Sequence, residues 1–196
     1  EGIPVTGDNI ILSKAVLVPN LVGGAYVVYY SYGTERVVRA QNIDASGNFL
    51  WQVGGLSLFT HSSIMDLIEA IPDNAGGLFI NVSKYVQNQN QNHLLRVDAS
   101  GSVTAPMTLI ALSFTGGRFK VKSFDTNELL IYDLGTYSGA ILRMAKIDYQ
   151  GNFLTAVLEY PMPITGTIEE YELLVKQGES VSLAWMHHTA NYALYV

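Results

Sequence analysis

The side chains best able to bind a metal or move a proton are the four histidines, His61, His93, His187 and His188. A zinc site usually needs three or four ligands that converge on one ion. His187 and His188 are adjacent, and adjacent residues of a β-strand point to opposite faces, so a regular strand cannot direct both at one ion. We therefore expect no metal site and interpret these imidazoles as groups at the edges of loops.

Carboxylates that could act as an acid and base pair are also few. Glu169 and Glu170 are adjacent and typical of a solvated strand or turn, whereas paired catalytic carboxylates face each other across a cleft. The chain contains no G-x-S-x-G, H-E-x-x-H, Walker or G-x-G-x-x-G motif. These absences favour a protein that is not an enzyme and binds no cofactor. The alternative is a hydrolase or lyase that uses Asp133, His187 or His188.

Aromatic and amide side chains are concentrated in four segments that we predict to be loops, 31–35, 84–93, 135–139 and 187–191. Aromatic rings can stack on a sugar or anchor a protein partner, and amides and hydroxyls can hydrogen-bond to either. The competing interpretation is that turns favour polar residues for conformational reasons alone. The tract 87–92 is rich in Gln and Asn, and we predict a flexible insertion there. The predicted ligand-binding residues are Tyr32, Tyr85, Asn90, Tyr137, His187, His188 and Asn191.

The elements that would position these side chains follow an internal repeat. Segments 43–48, 97–102 and 147–152 share the pattern [IV]-D-x-x-G-[NS], and their aspartates are 54 and 50 residues apart. A second marker upstream begins at Gly24, Gly77, Glu128 and Glu179, in steps of 53, 51 and 51 residues. The Asp can accept hydrogen bonds from the backbone that follows, and the Gly supplies the positive φ of a hairpin turn with a bulge.

Each repeat is predicted to contain four short strands rich in Val, Tyr and Leu. In the first repeat these are 15–19, 25–31, 36–43 and 48–54. No segment has a convincing helical period, and 62–70 aligns with strand positions in the other copies, so we expect a strand there as well.

The two ends of the chain favour a closed ring. The fourth repeat stops before its last strand, and the segment 2–6 resembles the segments that follow the turn in other repeats. A strand from the N-terminus would complete the C-terminal blade and remove exposed sheet edges. We predict one all-β domain, 1–196, a four-bladed β-propeller of roughly 50 residues per blade. The expected blades are 14–60, 61–112, 113–164, and 165–196 together with 1–13.

The Gly-Gly-led strand, the polar turn and the run Ile43-Asp44-x-x-Gly47-Asn48-x-Leu50-Trp51 together resemble repeats in secreted or surface proteins of Gram-negative bacteria of the Bacteroidetes type. The resemblance implies a β-propeller and export, and nothing about chemistry. The Asp-box of sialidase-type propellers is a different pattern, because it has one residue between Asp and Gly where this chain has two.

Composition narrows the function classes. The chain has 196 residues, of which 48% are apolar and 14% charged, and its formal net charge is −6. A negative chain lacks the basic surface that nucleic acids require. It contains no Cys and no uninterrupted apolar run long enough to span a membrane. The chain begins at Glu1 without an initiator Met, which we interpret as the product of processing, and this favours the periplasm, cell surface or extracellular space.

The leading hypothesis is a secreted or surface-exposed binding module that recognises a glycan or a protein through the loop face. The alternatives are the hydrolase or lyase with a site at the mouth of the ring, and a structural domain of a larger surface protein. The ligand, the oligomeric state and the presence of an ion in a central channel are left open by the sequence. A glycosylation sequon at 81–83 lies inside a predicted strand.

Overall fold

A computed structural model gives the structure of the chain and describes residues 11–32, 35–62, 65–87, 89–104, 107–108, 119–135, 141–162, 167–176, 180–188 and 193–195. Within these residues every regular element is a β-strand. The predicted all-β class is therefore confirmed. The chain divides into two compact units, Glu1–Ile110 and Ala111–Val196, which we call unit 1 and unit 2.

Unit 1 contains two antiparallel sheets of four strands, each with its strands side by side in chain order. The first sheet is β1 (Ile11–Pro19), β2 (Ala25–Tyr32), β3 (Arg36–Ile43) and β4 (Leu56–His61). The second sheet is β5 (Met65–Pro72), β6 (Leu78–Val86), β7 (Gln89–Val97) and β8 (Met107–Thr108). The strand expected over 62–70 is present from Met65.

Unit 2 repeats this plan. Its first sheet is β9 (Lys120–Asp125), β10 (Glu128–Gly135), β11 (Ile141–Asp148) and β12 (Leu158–Pro161). Its second sheet has three strands among the described residues, β13 (Thr167–Lys176), β14 (Ser180–His188) and β15 (Ala193–Tyr195). The segment 1–10, predicted to complete this last sheet, lies outside the described residues.

The D-x-x-G turns form as predicted. Asp44 Oδ1 accepts hydrogen bonds from the backbone N–H groups of Ser46 and Asn48, both at 2.8 Å, and Gly47 has a φ of 89°. The same pattern of bonds recurs at Asp98 and Asp148. The side-chain amide of Asn48 also donates to Asp44 Oδ2 at 2.9 Å, and this bond, followed by the backbone bonds, lowers the pKa of Asp44.

The fourth strand of the first repeat was predicted at 48–54, and this prediction is wrong. Only the isolated bridge between Ile43 and Phe49 forms after the turn, and the strand itself is β4, beginning at Leu56. Two consecutive glycines interrupt the segment, Gly54 with a φ of 83° and Gly55 with a φ of 73°, and a strand does not contain such angles. Trp51 lies in this connection and packs against Tyr26, with ring centroids 5.4 Å apart.

A second repeated turn joins the first two strands of each sheet in unit 1. Asn20 Oδ1 accepts from the N–H groups of Val22 at 3.1 Å and Gly24 at 2.7 Å. Asp73 Oδ1 accepts in the same way from Ala75 at 2.8 Å and Gly77 at 2.6 Å. An Asx side chain thus closes the turn that contains each Gly-Gly pair.

Each unit has its own hydrophobic core. In unit 1 both sheets contribute to one buried cluster, which includes Tyr26, Val28 and Tyr30 from β2 and Ile80 and Val82 from β6. Tyr26 also donates a hydrogen bond from its hydroxyl to the carbonyl of Gly76, which ties the two sheets of the unit together.

In unit 2 the core includes Leu130, Tyr132 and Leu134 from β10 and Leu173 from β13. Lys120 reinforces the packing of β9 on β13, because its ammonium donates to the carbonyl of Tyr171 at 2.7 Å and to Glu172 at 2.9 Å. These two bonds join the two sheets of unit 2.

Candidate functional site

The β6–β7 hairpin of unit 1 carries the candidate site. The prediction of a flexible insertion at 87–92 is wrong, because Gln89, Gln91 and Asn92 belong to β7 and pair with residues of β6. Gln87, with a φ of 50°, makes the turn. Asn and Gln have weak strand propensity, but tertiary context overrides it, since Asn92 pairs with Ser83 and both side chains are buried.

One face of this hairpin presents a row of hydrogen-bonding side chains. Side chains alternate between faces, so Asn81, Ser83 and Tyr85 of β6 lie on the same face, together with Asn92 of β7. We call these four residues the polar row. Asn81, Ser83 and Asn92 are buried, whereas Tyr85 is 46% exposed. The row therefore leads from the interior to a partly exposed aromatic ring at the hairpin end.

The opposite face presents basic groups beside an aromatic ring. His93 of β7 pairs with Val82 and is only 4% exposed. Its ring centroid is 5.0 Å from that of Phe59 in β4, and the Phe59 ring lies nearly parallel to that of His61, with centroids 6.4 Å apart. Lys84 occupies the same face of β6 two positions beyond Val82. We call His61, Lys84 and His93 the basic cluster.

The charge of this cluster depends on its burial. Burial, together with the smaller effects of the Lys84 and His61 charges, lowers the pKa of His93 to about 4. His93 is therefore neutral at pH 7, and the ammonium of Lys84 supplies positive charge beside it.

The seven predicted ligand-binding residues have different outcomes. Tyr85 lies in a strand, β6, and not in the predicted loop 84–93, and it is exposed near the hairpin end. Tyr137 and Asn191 lie outside the described residues. The remaining predicted residues lie in strands rather than in loops, and the structure does not describe their side chains; they are Tyr32 at the end of β2, Asn90 opposite Tyr85 in β7, and His187 and His188 at the end of β14. Their common participation in one site stays a prediction.

Other sequence signals can be placed as well. Among the described residues no group of three or more His, Asp or Glu side chains could hold a metal ion. The sequon at 81–83 lies within β6, as expected, and Asn81 is 1% exposed, so the folded chain does not present it for glycosylation. In the described part of the chain no helix has the length and apolar character that crossing a membrane requires.

Unit 2 contains a row of charged residues across three strands. Asp133 of β10 pairs with Arg143 of β11, which pairs with Glu159 of β12. Arg143 Nε donates to Glu159 Oε1 at 2.8 Å. Asp133 is 3% exposed, and burial raises the pKa of its carboxyl, against the opposing effects of the Leu134 N–H and the Arg143 charge.

Sequence reasoning missed a basic residue that the repeats share. Arg39, His93 and Arg143 each stand four positions before the Ile or Val of the [IV]-D turn, and each lies in the third strand of its sheet. Extending the alignment of the turns by four residues would have revealed this position. It would also have separated His93 from the other histidines.

Comparison with known proteins gives information about the fold. No family model matches the chain, and no curated protein matches it in sequence. Among solved structures, an endo-arabinase from Bacteroides thetaiotaomicron matches with a TM-score of 0.55 at 11% identity, over 93% of this chain and 74% of the arabinase chain. The fold is of the β-propeller class.

A neuraminidase-like protein of A/little yellow-shouldered bat/Guatemala also matches, with a TM-score of 0.45 at 14% identity, over 96% of this chain and 59% of that protein. That score is too low to support an argument. At 11% identity the arabinase likeness establishes the β-propeller class and does not transfer a reaction, and the resemblance to Bacteroidetes repeats stays a prediction.

Proposed function

We propose that this chain is an exported, non-catalytic β-propeller module that binds a glycan at the end of the β6–β7 hairpin. The observation that carries the proposal is the half-exposed ring of Tyr85 at the outer end of the polar row. Exposing that ring costs hydrophobic stabilisation, which a stacked sugar would restore.

The chemistry of the hairpin end suits a carbohydrate. One face of a pyranose or furanose ring is largely C–H and packs on an aromatic ring, while its hydroxyl groups both donate and accept hydrogen bonds. Asn and Gln amides offer both functions, and β7 begins with four such residues, Gln89 to Asn92. Low charge and many amides also distinguish this surface from one that neutralises phosphates, in agreement with the net charge of −6.

The fold comparison supports the same ligand class. An endo-arabinase is among the solved structures with this fold, which demonstrates that the fold can present a carbohydrate site. A protein ligand is the other occupant that the Tyr85 surface could take. The carbohydrate is preferred because, among the side chains described at the hairpin end, Tyr85 alone is a large exposed apolar group, whereas a protein interface needs a larger patch.

The experiment compares two tyrosines of equal exposure. Tyr85 in unit 1 and Tyr160 in unit 2 are both 46% exposed. A glycan array identifies the bound oligosaccharide, and calorimetry then measures its affinity for the wild type and for the Tyr85→Ala, Tyr85→Phe and Tyr160→Ala variants. We expect Tyr85→Ala to weaken binding by about tenfold or more, because stacking is worth about 1–2 kcal/mol, and Tyr85→Phe to weaken it less.

Tyr160→Ala serves as the control and should bind like the wild type. Equal affinities for wild type and Tyr85→Ala would contradict the proposal, as would an array on which no glycan is retained.

A second candidate is a hydrolase whose acid is Asp133. The supporting observation is the raised pKa of this buried carboxyl in a row that also contains Arg143 and Glu159. Glycoside hydrolysis uses two carboxyl groups, and Asp133 and Glu159 provide two in one row across the sheet, one on each side of Arg143. If the wild type released reducing ends from a polysaccharide and Asp133→Asn did not, the hydrolase would replace the non-catalytic module.

The proposal includes the architecture that presents the site. Four sheets correspond to four blades, and residues 1–10 would complete the blade that holds β13, β14 and β15. Residues 11–13, predicted to join that blade, instead begin β1 of the first sheet. The strand order supports this arrangement, because in every sheet the strands lie side by side in chain order and the plan recurs with a period of about 50 residues.

A further inference from the structure

Two arginines occupy corresponding places in the two units but have different neighbours on the outer strand. Arg143 of β11 pairs with Glu159 of β12, and its Nε donates to Glu159 Oε1 at 2.8 Å. Arg39 of β3 pairs with Ser57 of β4. Both arginines stand four residues before the Ile of a D-x-x-G turn. The first sheet of unit 1 therefore has a serine where the first sheet of unit 2 has a carboxylate.

Within the part of the chain that the structure describes, Arg39 has no carboxylate partner. The four strands of its sheet, β1 to β4, contain no Asp or Glu. Its guanidinium forms no ion pair and no hydrogen bond, and its Nε is buried. A partly buried charge without a counter-ion is costly, so the folded chain gains stability when an anion binds beside it.

The place beside Arg39 is open to solvent on the side of β4. Ser57 is exposed and Arg39 is partly exposed. Nε is the only buried guanidinium nitrogen that lacks a hydrogen bond, and because Nη1 and Nη2 also make none, these terminal nitrogens are in contact with solvent. In unit 2 the side chain of Glu159, which fills the corresponding place, is itself 56% exposed. A ligand can therefore reach the terminal nitrogens at the surface of the sheet.

Fixed groups surround Arg39 on its other sides. Tyr29 of β2 pairs with Arg39, is 1% exposed, and donates from its hydroxyl to the carbonyl of Gly54 at 2.7 Å. Gln41 is buried two positions further along β3 and donates to the carbonyl of Gln52 at 2.8 Å. Burial raises the pKa of Tyr29, and the nearby charge of Arg39 opposes that effect. The connection before β4 is thus held against this face of the sheet and restricts the guanidinium.

We propose that Arg39 binds the carboxylate of an external ligand in the place that Glu159 fills in unit 2. Nη1 and Nη2 donate two parallel hydrogen bonds to the carboxylate oxygens, and the exposed hydroxyl of Ser57 offers a third donor. The carboxylate belongs either to a small organic acid or to an acidic side chain of a bound peptide. This site is separate from Tyr85 and does not depend on the proposed glycan-binding function.

The comparison of the two units selects a carboxylate over a phosphate. In unit 2 the group that pairs with the arginine at this register is a carboxylate. One guanidinium neutralises one carboxylate, whereas a phosphate group carries a charge of about −1.5 to −2 at pH 7. No second cation of the sheet is aligned with Arg39, because its cross-strand neighbours are Tyr29 and Ser57. A dianion would therefore stay partly unneutralised in a chain whose net charge is already −6.

The experiment follows the side-chain Nε–H of Arg39 by NMR in the full chain. Its burial slows exchange with water, so the resonance is observable. Acetate and N-acetylglutamate methylamide supply a carboxylate as a small acid and as a blocked acidic residue, and acetamide is the neutral counterpart of acetate. At constant ionic strength we expect both carboxylates to bind at least tenfold more tightly than acetamide, because their hydrogen bonds are charge-assisted.

Arg143 is the control within the same molecule. Glu159 already occupies the place beside it, so the Arg143 Nε–H resonance should not move when acetate is added.

Two variants at an exposed position locate the effect. Ser57→Glu copies the pair of unit 2 and supplies the carboxylate from β4 itself. It should shift the Arg39 resonance without any added ligand and weaken acetate binding at least tenfold. Ser57→Gln has nearly the same size without the charge and should keep the response to acetate. Ser57 is exposed, so both replacements are compatible with folding.

The outcomes decide the inference without reference to the glycan. Equal responses to acetate and acetamide, or acetate binding that Ser57→Glu leaves unchanged, would overturn it. Tighter binding of inorganic phosphate than of both carboxylates would overturn the assignment of the ligand class. Preference for acetate would support a small organic acid, and preference for the blocked glutamate would support an acidic side chain of a partner. Tyr85→Ala should leave every one of these responses unchanged.

Discussion

At the end of β5 a single buried carboxylate serves two partners. Asp73 Oδ1 closes the turn before β6, and Asp73 Oδ2 accepts hydrogen bonds from Arg96 Nε at 3.1 Å and Nη2 at 2.9 Å. The equivalent pair in the first sheet is Asn20 and Asn42, whose side chains hydrogen-bond at 2.9 Å. The two sheets thus share the turn bonds, but the first has an amide pair where the second has an ion pair.

This exchange predicts the effect of substitutions at Asp73, which is 1% exposed. Asp73→Ala removes both turn bonds and leaves Arg96 without its carboxylate, so we expect a loss of about 3–5 kcal/mol in the free energy of unfolding, measured in urea. Asp73→Asn keeps a carbonyl oxygen for the turn and should cost less. The double variant Asp73→Asn/Arg96→Asn copies the first sheet and should recover part of that loss.

A result in which Asp73→Asn is as destabilising as Asp73→Ala would contradict the turn role of Oδ1.

At this scale the sequence was informative about exposed groups and poor on buried ones. It selected Tyr85 from its type, although the predicted loop is a strand, and the aligned turns mark position 93 as basic. The burial of His93 and the approach of Lys84 could not be predicted, because they are created only by packing.

At the scale of the elements, two kinds of glycine shape the hairpins for different reasons. Gly54 needs its positive φ of 83°, and open space surrounds the position of a Cβ there. Gly77 is required for space rather than for its φ, because a Cβ would lie 2.2 Å from the carbonyl oxygen of Val97 and 2.8 Å from Asp73 Oδ2. The close approach of β6 to the end of β7 therefore permits only glycine at position 77.

The contrast can be tested by the same substitution at both positions. Gly77→Ala forces backbone apart and should destabilise unit 1 by more than about 3 kcal/mol, whereas Gly54→Ala should cost about 1–2 kcal/mol for the left-handed conformation alone. Urea unfolding of both variants measures the difference. Equal costs at the two positions would show that the approach of β6 and β7 is not held rigidly.

The sequence predicted the features that depend on residues close together in the chain. It failed where contacts between distant residues determine the structure. The D-x-x-G turns were predicted because Asp and Gly act within five residues of each other. The fourth strand of the first sheet was misplaced because Trp51 has strand propensity but leaves the sheet to pack on Tyr26, a contact 25 residues away along the chain.

At the scale of the whole molecule, the closed ring proposed for the four sheets predicts that the N-terminal segment stabilises the C-terminal sheet. The sheet of β13, β14 and β15 has three strands among the described residues, and a strand from the segment 1–10 would cover its edge. Deletion of residues 1–10 should then lower Tm by about 5 °C or more, because the loss of one edge strand costs a few kcal/mol and a chain of this size loses about 2–4 °C for each.

A circular permutant provides the control. Joining Val196 to Glu1 through a short Gly-Ser linker and opening the chain between β12 and β13 preserves the proposed pairing, so this permutant should keep the wild-type Tm. If the deletion left Tm unchanged while the permutant failed to fold, the ring closure would be wrong.

The sequence by itself determined the β class, the period of the repeat and the D-x-x-G turns, because each depends on the alternation of side chains or on bonds between residues close in the chain. Only the tertiary structure decided that the Gln- and Asn-rich tract is a strand and that His93 is buried with Lys84 and His61 beside Phe59. The tract forms a strand by pairing across the β6–β7 hairpin, and His93 packs against Phe59 of β4, which is distant in sequence. In both cases packing outweighs the weak propensities of individual residues.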